Sequence, residues 1–294
     1  MAKNDLTDYA VINESTGEYQ GFMTVDEANV YFKSRTSAPR MNNKTAIKYT
    51  GNITKDFINE NLGSFYFNYY DKTGEYEQLF RFLYLSTYAN YKNYIELGNS
   101  SERLADKKDL QEILMLKDQQ FYNTFNYFIS NNLLIEENYY VNDEIKKCYK
   151  INDSLCIRGQ INKNNASARM FDEGVRYIYK HSNSKEHKKL GYLIKLLPYT
   201  HKQTNIICED VNCSVGDIKP LSQKQILEIL NITKPTLTSL TKIKILDNEE
   251  SAFIKISNAF ISKAYVINPR LTYKGSDINE LESTLNLFKA GNNK

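Results

Sequence analysis

Residues 221–246 have the sequence LSQKQILEILNITKPTLTSLTKIKIL, and the fold is inferred outward from this stretch. Ser222 can cap a helix, because its side-chain oxygen can accept a hydrogen bond from the backbone of the first turn. Apolar residues then recur at helical spacing, at Ile226, Leu227, Ile229 and Leu230. We therefore predict a short helix that ends in a turn at residues 231–233.

A second helix is predicted directly after that turn. Thr233 or Lys234 can cap it, Pro235 suits its first turn, and Leu237, Leu240 and Ile243 form a buried stripe. Its outward side chains are small hydroxyls and lysines: Lys234, Thr236, Thr238, Ser239, Thr241 and Lys242. Such a pair of helices indicates a helix-turn-helix. Two predicted strands follow at 252–256 and 263–267, so the whole unit is predicted to be a winged helix.

The same plan occurs 116 residues earlier in the chain. At that offset YVINPRLTYKG (265–275) aligns with YKINDSLCIRG (149–159), and Lys224 aligns with Lys108. Two matches at one offset indicate an internal duplication with a long period. A long period implies two similar domains and not a solenoid of short repeats.

In the earlier copy, residues 107–114 are predicted to form the supporting helix and residues 118–131 the recognition helix. Phe121, Phe125 and Phe128 are expected to pack inward. The outward side chains are amides and tyrosines: Gln119, Gln120, Tyr122, Asn123, Asn126 and Tyr127. Gln and Asn can pair with adenine through two hydrogen bonds in the major groove. Strands at 133–140 and 148–151 would form the wing.

Asp118 stands where the later copy has Lys234. We expect Asp118 to cap its helix and to repel phosphate. The earlier copy would then bind DNA weakly or serve in association instead.

The predicted fold class is α+β, mainly α, with two tandem winged helix-turn-helix domains related by internal duplication and an N-terminal β-hairpin extension. Residues 1–50 hold the hairpin (9–22), a short helix and a basic linker, which is either solvated or lies on a phosphate backbone. Domain 1 spans 51–159, and a polar linker spans 160–168. Domain 2 spans 169–276 and opens with a helix at 170–179. Residues 277–294 form a C-terminal helix and tail, which packs on its own domain or bridges a homodimer.

Charge is distributed unevenly along the 294 residues. Residues 1–159 hold 18 Lys and Arg against 22 Asp and Glu, a net charge of −4, whereas residues 160–294 hold 20 against 13, a net charge of +7. The second half therefore has the surplus expected of a protein that binds a polyanion. No run of 18 apolar residues and no signal peptide is found, so we expect no membrane partner and a bacterial cytoplasmic, nucleoid-associated location.

Catalytic and metal sites are not predicted. Cys208, Cys213 and His201 lack a second ligand pair, and no Cys-x-x-Cys occurs, so neither a metal nor a cofactor is expected. The three histidines, His181, His187 and His201, form neither the His-x-His pair of rolling-circle initiators nor the His-x-x-Arg of tyrosine recombinases. A Gly-x-x-x-x-Gly-Lys phosphate loop is also absent. We therefore expect a protein that is not an enzyme.

Double-stranded DNA with repeated or palindromic sites is the expected partner. Short hydroxyl side chains can approach base edges, while lysines on the same helix and on the wing neutralise phosphates. The predicted contacts of domain 2 are Lys234, Thr236, Thr238, Ser239, Lys242, Lys255 and Lys263. Those of domain 1 are Gln119, Gln120, Tyr122, Asn123 and Tyr127. Two linked domains can occupy two half-sites about one helical turn apart.

Three segments resemble a known group of proteins: YVINPRLTYKG, QILEILNITKPTLTSLTKIKIL and the opening hairpin ending in Thr16-Gly17-Glu18. They resemble the Firmicute plasmid replication proteins and the related winged-helix proteins of low-GC phages. The tandem layout is similar to that of theta-type plasmid initiators. This resemblance implies that both domains contact repeated origin sites and that a monomer–dimer switch governs copy number. The earlier copy departs from the motif, since Asn152-Asp153 replaces Asn268-Pro269.

The sequence thus predicts a sequence-specific DNA-binding protein of a bacterial phage or plasmid, acting as a transcription regulator or as a replication-origin binder. The alternative is a winged-helix adaptor between proteins, for example one that engages host RNA polymerase. Binding to DNA would weaken with salt, and an adaptor would show no such dependence.

Overall fold

The computed structural model describes residues 63–68, 75–97, 103–141, 144–158, 167–245, 250–257 and 263–275, with two strands near the start and Leu281, Thr284, Leu285 and Phe288 near the end. The chain is α+β, as predicted, with helices between small antiparallel sheets. The short helix and the basic linker predicted before residue 50 lie outside the described residues. Within the described ranges, no helix has the length and apolar character needed to cross a bilayer.

The first half, residues 63–158, contains three helices and four strands in the described part. They are β3 (Ser64–Asn68), α1 (Tyr76–Ser86), α2 (Lys107–Leu114), α3 (Asp118–Ser130), β4 (Leu134–Val141), β5 (Glu144–Ile151) and β6 (Cys156–Ile157). Earlier in the chain, β1 (Tyr9–Asn13) pairs antiparallel with β2 (Glu18–Met23). The β4–β5 hairpin is the pair of strands that the sequence predicts after α3.

In its described part, the second half, residues 167–275, has a similar order of elements, with one extra helix, two extra short strands before the hairpin, and no strand in the place of β6. Its elements are β7 (Ser167–Phe171), α4 (Asp172–Lys180), α5 (His187–Lys195), α6 (Gln223–Leu230), α7 (Lys234–Leu240), β8 (Lys244–Ile245), β9 (Glu250–Ser251), β10 (Phe253–Ile256) and β11 (Ala264–Ile267). The predicted hairpin after α7 is confirmed, since β10 pairs antiparallel with β11.

The helix predicted at residues 170–179 begins two residues later than expected. Residues 167–171 form strand β7, which also shortens the predicted linker at 160–168. Ala168 and Met170 are buried, and the strand pairs along its whole length with β3. Pairing with a strand about 100 residues away therefore overrides the helical propensity of this segment.

A left-handed asparagine occurs at the same place in both halves. Asn93 has φ 64° and Asn205 has φ 54°, in a region that asparagine tolerates better than most residues. The Asn93 Nδ2 donates to the carbonyl of Cys156 at 2.8 Å, and the Asn205 Nδ2 donates to that of Thr272 at 2.6 Å. In each half this bond joins the segment that follows α1 or α5 to the segment near the end of that half, at Cys156 or Thr272.

A second asparagine turn also recurs, at the segment where the two sequences differ. The backbone N–H of Ser154 donates to Asn152 Oδ1 at 2.9 Å, and that of Arg270 donates to Asn268 Oδ1 at 2.9 Å. The residue between them is Asp in one half and Pro in the other. The turn is the same because it is held by the asparagine and not by the residue that follows it.

The two halves meet in one sheet. Strands β3 and β7 pair antiparallel with Tyr66 opposite Arg169, and the guanidinium of Arg169 donates to the Tyr66 hydroxyl at 2.7 Å. β6 lies on the free side of β3, and Thr272 forms a bridge with Met170 on the free side of β7. The strand pairing is therefore similar on both sides of the β3–β7 centre.

Helices α1 and α5 cross behind this sheet at very short distance. A Cβ atom added at Gly191 of α5 would lie 2.0 Å from the backbone oxygen of Tyr76, at the start of α1. Nearly all of α1 is buried, from Leu79 to Ser86. Any residue with a side chain at position 191 would therefore overlap the backbone of Tyr76, so this contact between the two halves requires glycine.

A buried arginine connects three helices beside that crossing. Arg81 of α1 is 2% exposed, and it donates through Nε to His187 Nδ1 of α5 at 3.1 Å and through Nη1 to Thr124 Oγ1 of α3 at 2.9 Å. Its remaining nitrogen forms an ion pair with Glu77. Because His187 Nδ1 accepts a hydrogen bond, this nitrogen carries no proton and the ring is neutral. Burial, followed by the nearby Arg81 charge, lowers the pKa of His187 to about 3.

An ion pair between the halves lies at the edge of the sheet. Both Arg158 Nη1 and Nη2 donate to the carboxylate of Asp172, at 2.7 and 3.0 Å. Burial raises the pKa of Asp172, and the guanidinium of Arg158 opposes that rise. Lys274 holds the matching place in the second half, where it donates to the carbonyls of Leu197 and Thr200 at 2.8 and 3.1 Å.

The described side chains of the C-terminal segment pack on the same chain. Leu281 contacts Phe171 and Tyr273, and Phe288 is fully buried in a cluster with Ile254 and Val266. These contacts correspond to the first of the two predicted roles for this segment, which is packing on its own domain.

Substitution of Gly191 tests the helix crossing. We expect Gly191→Ala to lower the free energy of unfolding by about 1–3 kcal/mol, because the methyl group overlaps backbone that cannot rotate away. Gly216→Ala is the matched control, since a Cβ atom there meets nothing within 4 Å. Urea unfolding of both variants provides the measurement, and equal midpoints would contradict the proposed close contact.

Acid should destabilise the protein through His187. The folded pKa lies below the ordinary value of 6.5, so stability is fully present above pH 6.5 and falls as the pH drops toward 3. Between pH 7 and pH 5 we expect the wild type to lose about 2 kcal/mol more than His187→Gln. His181→Gln, which changes an exposed histidine, should behave like the wild type. Parallel pH profiles for all three proteins would refute this assignment.

Candidate nucleic-acid interface

Helix α6 begins at the predicted cap. Ser222 Oγ accepts from the backbone of Gln225 at 3.3 Å, and Gln225 Oε1 accepts from the backbone of Ser222 at 2.8 Å. This reciprocal pair satisfies two backbone donors that a helix otherwise leaves free. Ile226 and Leu230 are buried, so the apolar stripe predicted from the sequence faces the core.

The turn between α6 and α7 is tight because Asn231 adopts a left-handed conformation, with φ 51°. The corresponding turn between α2 and α3 has Met115 in the same conformation, with φ 49°. Thr233 occupies the cap position of α7 without a side-chain bond to the helix backbone, and Pro235 lies in the first turn, as predicted. Each half thus holds two short helices joined by a turn of the same form, which we call the helix pairs α2–α3 and α6–α7.

The outward face of α7 lies at the surface. Lys234, Thr238 and Lys242 are exposed, and Thr236 and Ser239 are half-buried. Leu237 and Leu240 are fully buried on the opposite side. The structure therefore places Lys234, Thr238 and Lys242 together on the exposed side of this segment, while Thr236 and Ser239 are partly covered.

The hydroxyl groups of this face donate back to the helix. Thr238 Oγ1 donates to the carbonyl of Lys234 at 3.0 Å, and Ser239 Oγ donates to that of Thr236 at 2.7 Å. The protons point toward the helix, and the oxygen lone pairs remain available on the outside. Such oxygens can accept hydrogen bonds from the amino groups of adenine or cytosine.

Two predicted lysines lie on the hairpin that follows α7. Lys255 of β10 is exposed opposite Tyr265, and its Nζ lies 5.8 Å from the centre of that ring. Lys263 is also exposed, directly before β11. The tip between them, residues 258–262, lies outside the described residues.

In the first half, the exposed face of α3 carries amides and a tyrosine. Gln119, Gln120, Tyr122 and Asn123 are exposed, with Tyr122 at 55%, whereas Tyr127 is half-buried. Phe121, Phe125 and Phe128 are buried, as predicted. No lysine or arginine occurs within α3 itself.

Some of these amides already have partners. Gln119 Nε2 donates to Asn123 Oδ1 at 3.0 Å, one turn along the helix. Gln120 Nε2 donates to Ser184 Oγ at 3.3 Å, so this side chain is tied to the second half. Gln119 and Asn123 are therefore the more accessible of the predicted base contacts.

The prediction that Asp118 caps α3 is wrong. Lys117 occupies the cap position without a side-chain bond, and Asp118 lies in the first turn. Its Oδ1 accepts from Gln111 Nε2 at 2.8 Å. The helix begins one residue earlier than a capping role for Asp118 requires, and the carboxylate is bound by the amide of Gln111 on α2.

Two grooves beside α2 were missed by sequence reasoning. One, of about 780 Å³, lies between α2 and the β4–β5 hairpin and is lined by Arg103, Lys107, Lys108, Lys146 and Lys147 among others. The second, of about 540 Å³, lies between α2 and α3 and includes Lys107, Lys108, Gln119 and Tyr122. Residues 1–159 have a negative net charge, so a charge count over this half does not reveal the local group of cations. Three of them, Arg103, Lys108 and Lys147, have a lysine at the 116-residue offset, and this recurrence was the available signal.

Each helix pair is fastened to the opposite half by a tyrosine. The hydroxyl of Tyr179 donates to the carbonyl of Leu114, at the end of α2, at 2.8 Å. The hydroxyl of Tyr76 donates to the carbonyl of Leu230, at the end of α6, at 3.4 Å. The two pairs are thereby held in a defined relative position.

The cysteines and His201 are engaged in backbone contacts. The thiols of Cys208 and Cys213 both lie against the carbonyl of Asp210, at 3.2 and 3.1 Å, and His201 Nε2 lies 3.0 Å from the carbonyl of Cys213. Burial raises the pKa of Cys208 to about 12. Among the residues that the structure describes, no cluster of three His, Cys, Asp or Glu side chains suits a metal ion.

Comparisons with known proteins gave no further guide to this surface. No family model, curated protein or solved structure matches the chain. The functional argument therefore depends on the geometry of the two helix pairs and their hairpins.

Proposed function

We propose that this protein binds double-stranded DNA in a sequence-specific manner through two tandem winged helix-turn-helix domains related by internal duplication, with the N-terminal β-hairpin as an extension. The observation that carries the proposal is the exposed face of α7. This face lies on the second helix of a repeated helix pair and combines Lys234 and Lys242 with the hydroxyls of Thr238 and Ser239. It has the size and chemistry of a helix that enters a major groove.

The fixed relation between the halves supports binding as one body. The shared sheet, the Arg158–Asp172 ion pair and the two tyrosine bonds prevent the helix pairs from turning independently. One chain would then occupy two adjacent half-sites, and its second contact would gain from a high effective concentration. The role we propose is that of a transcription regulator or replication-origin binder of a bacterial phage or plasmid, acting in the cytoplasm.

A protein adaptor is the second candidate, and one observation favours it. The first half exposes Met115, Tyr122 and Ile129 around α3, and α3 has no cation of its own. Exposed apolar side chains of this kind suit a protein partner better than a phosphate backbone. The two candidates differ in a simple measurement, because affinity for DNA falls steeply with salt concentration.

Neutralising the α7 lysines should weaken binding to every DNA sequence. We expect Lys234→Ala with Lys242→Ala to reduce the slope of log K against log salt by about two, since each phosphate contact contributes about 0.9. Fluorescence anisotropy with a labelled duplex at several salt concentrations gives the slope. Lys92→Ala with Lys202→Ala removes the same charge from exposed positions outside both helix pairs and should leave the slope unchanged. Identical slopes for the two double variants would contradict the assignment of α7.

Removing the α7 hydroxyls should change sequence preference instead. We expect Thr238→Ala and Ser239→Ala to alter the set of duplexes selected from a random library, at about 1–3 kcal/mol for each base pair affected, with the salt slope retained. Thr241→Ala is the control, because Thr241 Oγ1 donates to the Thr238 carbonyl at 2.8 Å and loses a helix bond of the same kind. Selection of the same site by all variants would show that these hydroxyls do not contact bases.

A further inference from the structure

We propose that a repeated set of three surface cations forms a second contact with DNA in each half, where it holds the phosphate backbone beside the groove occupied by α3 or α7. The first triad is Arg103, Lys108 and Lys147, and the second triad is Lys219, Lys224 and Lys263. This inference rests on the proposed function, and it adds a phosphate-binding surface to it. It also gives the first half a means of binding DNA that does not depend on α3 alone.

The two triads occupy matching places in the fold. The backbone N–H of Ala105 donates to Ile95 at 2.8 Å, and that of Leu221 donates to Ile207 at 2.9 Å, so Arg103 and Lys219 precede their helices in the same way. Lys108 and Lys224 are both the second residue of a helix that starts with a capping box.

The third member of each triad is placed by a hairpin. Lys147 lies two residues before Tyr149 in β5, and Lys263 lies two residues before Tyr265 in β11. Tyr149 and Tyr265 are both buried, so the two hairpins have the same orientation at this point. All six cations are exposed.

In the first half the triad surrounds one groove. Arg103, Lys108 and Lys147 all line the groove of about 780 Å³ between α2 and the hairpin, together with Lys107 and Lys146. Lys107 and Lys108 also line the neighbouring groove that reaches Gln119 and Tyr122 on α3. These cations therefore extend from the hairpin to the face of α3, interspersed with the acidic side chains of Asp106, Asp109, Glu136 and Asp118.

Ion pairing within the protein does not explain the triads. In the first half Arg103 pairs with Asp109 at 2.8 Å and Lys147 pairs with Glu136 at 2.6 Å. Gln225 lies at the 116-residue offset from Asp109, and Lys255 is paired with Tyr265 as Glu136 is paired with Tyr149, so neither matching position holds an acid. The cations Lys219 and Lys263 are thus present although those carboxylates are not.

The remaining pair of lysines makes only a weak contact. Lys108 lies 4.0 Å from Glu112, and Lys224 lies 3.9 Å from Glu228, with both lysine side chains more than 80% exposed. Pairs of this type stabilise a helix by about 0.2–0.5 kcal/mol. A contribution of that size gives little reason for the same charge to recur in both halves.

Charge is otherwise poorly matched between the halves. Asp118 corresponds to Lys234, and Glu136 corresponds to Lys255, so the sign reverses at two surface positions. Among the residues that the structure describes, the cation that also recurs, Arg158 with its counterpart Lys274, is half-buried and donates to backbone carbonyls. Within the same described ranges, the triads are the repeated cations that are exposed.

A duplex backbone is the partner that fits this arrangement. Three separated point charges beside an exposed helix can contact successive phosphates while the helix lies in the groove. Lysine and arginine in such positions add affinity without sequence information, because every base pair presents the same phosphates. Each triad would therefore contribute equally to specific and unrelated DNA.

The test removes one triad at a time. One variant is Arg103→Ala, Lys108→Ala and Lys147→Ala, and the other is Lys219→Ala, Lys224→Ala and Lys263→Ala. The control, Lys92→Ala with Lys180→Ala and Lys202→Ala, removes three exposed lysines outside the triads. Binding of the full-length protein is measured at several salt concentrations with two duplexes of equal length, one selected from a random library and one unrelated.

We expect each triad variant to lower the salt slope by about two to three and to weaken binding to both duplexes by the same factor. The control should retain the wild-type slope. Lys108→Ala and Lys224→Ala as single changes should each lower the salt slope by about 0.9. Each removes only a weak ion pair within one helix, so these single variants test the inference if a triple variant unfolds. The charge-retaining variant Arg103→Lys with Lys108→Arg should keep the wild-type slope.

Two negative outcomes are distinguishable. If the wild type binds DNA with a salt slope that falls in the α7 variant but not in either triad variant, the triads do not contact phosphate and this inference is overturned. If the wild type shows no salt-dependent affinity for any duplex, the proposed function itself fails.

Discussion

The antiparallel pairing of β3 with β7 is the constraint on which the rest of the structure depends. It joins residues about 100 positions apart in the sequence and turns two similar halves into one body with a shared sheet. The crossing of α1 and α5 follows from it, since the sheet brings Gly191 against the backbone of Tyr76. The contact between Gly191 and Tyr76 leaves no space for either half to tilt. The rigid centre therefore determines the positions of the outer helices.

Polar groups extend this rigidity from the centre to the two helix pairs. Arg81 links α1 to α3 and α5 within one buried network. Tyr179 and Tyr76 fasten the ends of α2 and α6, each from the opposite half. A buried polar group without a partner costs roughly 1–3 kcal/mol, so these bonds are difficult to exchange for other arrangements. The surfaces proposed to bind DNA are therefore presented by a frame that neither half could form by itself.

Local features of this molecule could be predicted from the sequence. The capping box at Ser222, the tight turn and the apolar stripe of α7 depend on residues within one or two turns of each other. Contacts between distant segments could not be predicted from the sequence. Strand β7 forms because β3 is available as a partner, and Gln120 is occupied because Ser184 of the second half lies beside it. Asp118 is a local exception, since α3 begins at this residue, one position beyond the cap, and its carboxylate accepts from Gln111. The outward faces were identified because helical spacing reveals them, whereas the cationic groove beside α2 requires the hairpin to be folded against the helix.

The shared sheet also has a consequence for how such a chain can change over time. In the described structure each half covers one edge of the other's strand, so the loss of either would leave β3 or β7 with unpaired backbone donors and acceptors. A bare strand edge invites pairing with other chains and aggregation. Under the proposed duplication, the surface chemistry of each half could diverge while the shared sheet kept the two halves together. Asp118 and Lys234, which carry opposite charges at matching positions of α3 and α7, fit such divergence.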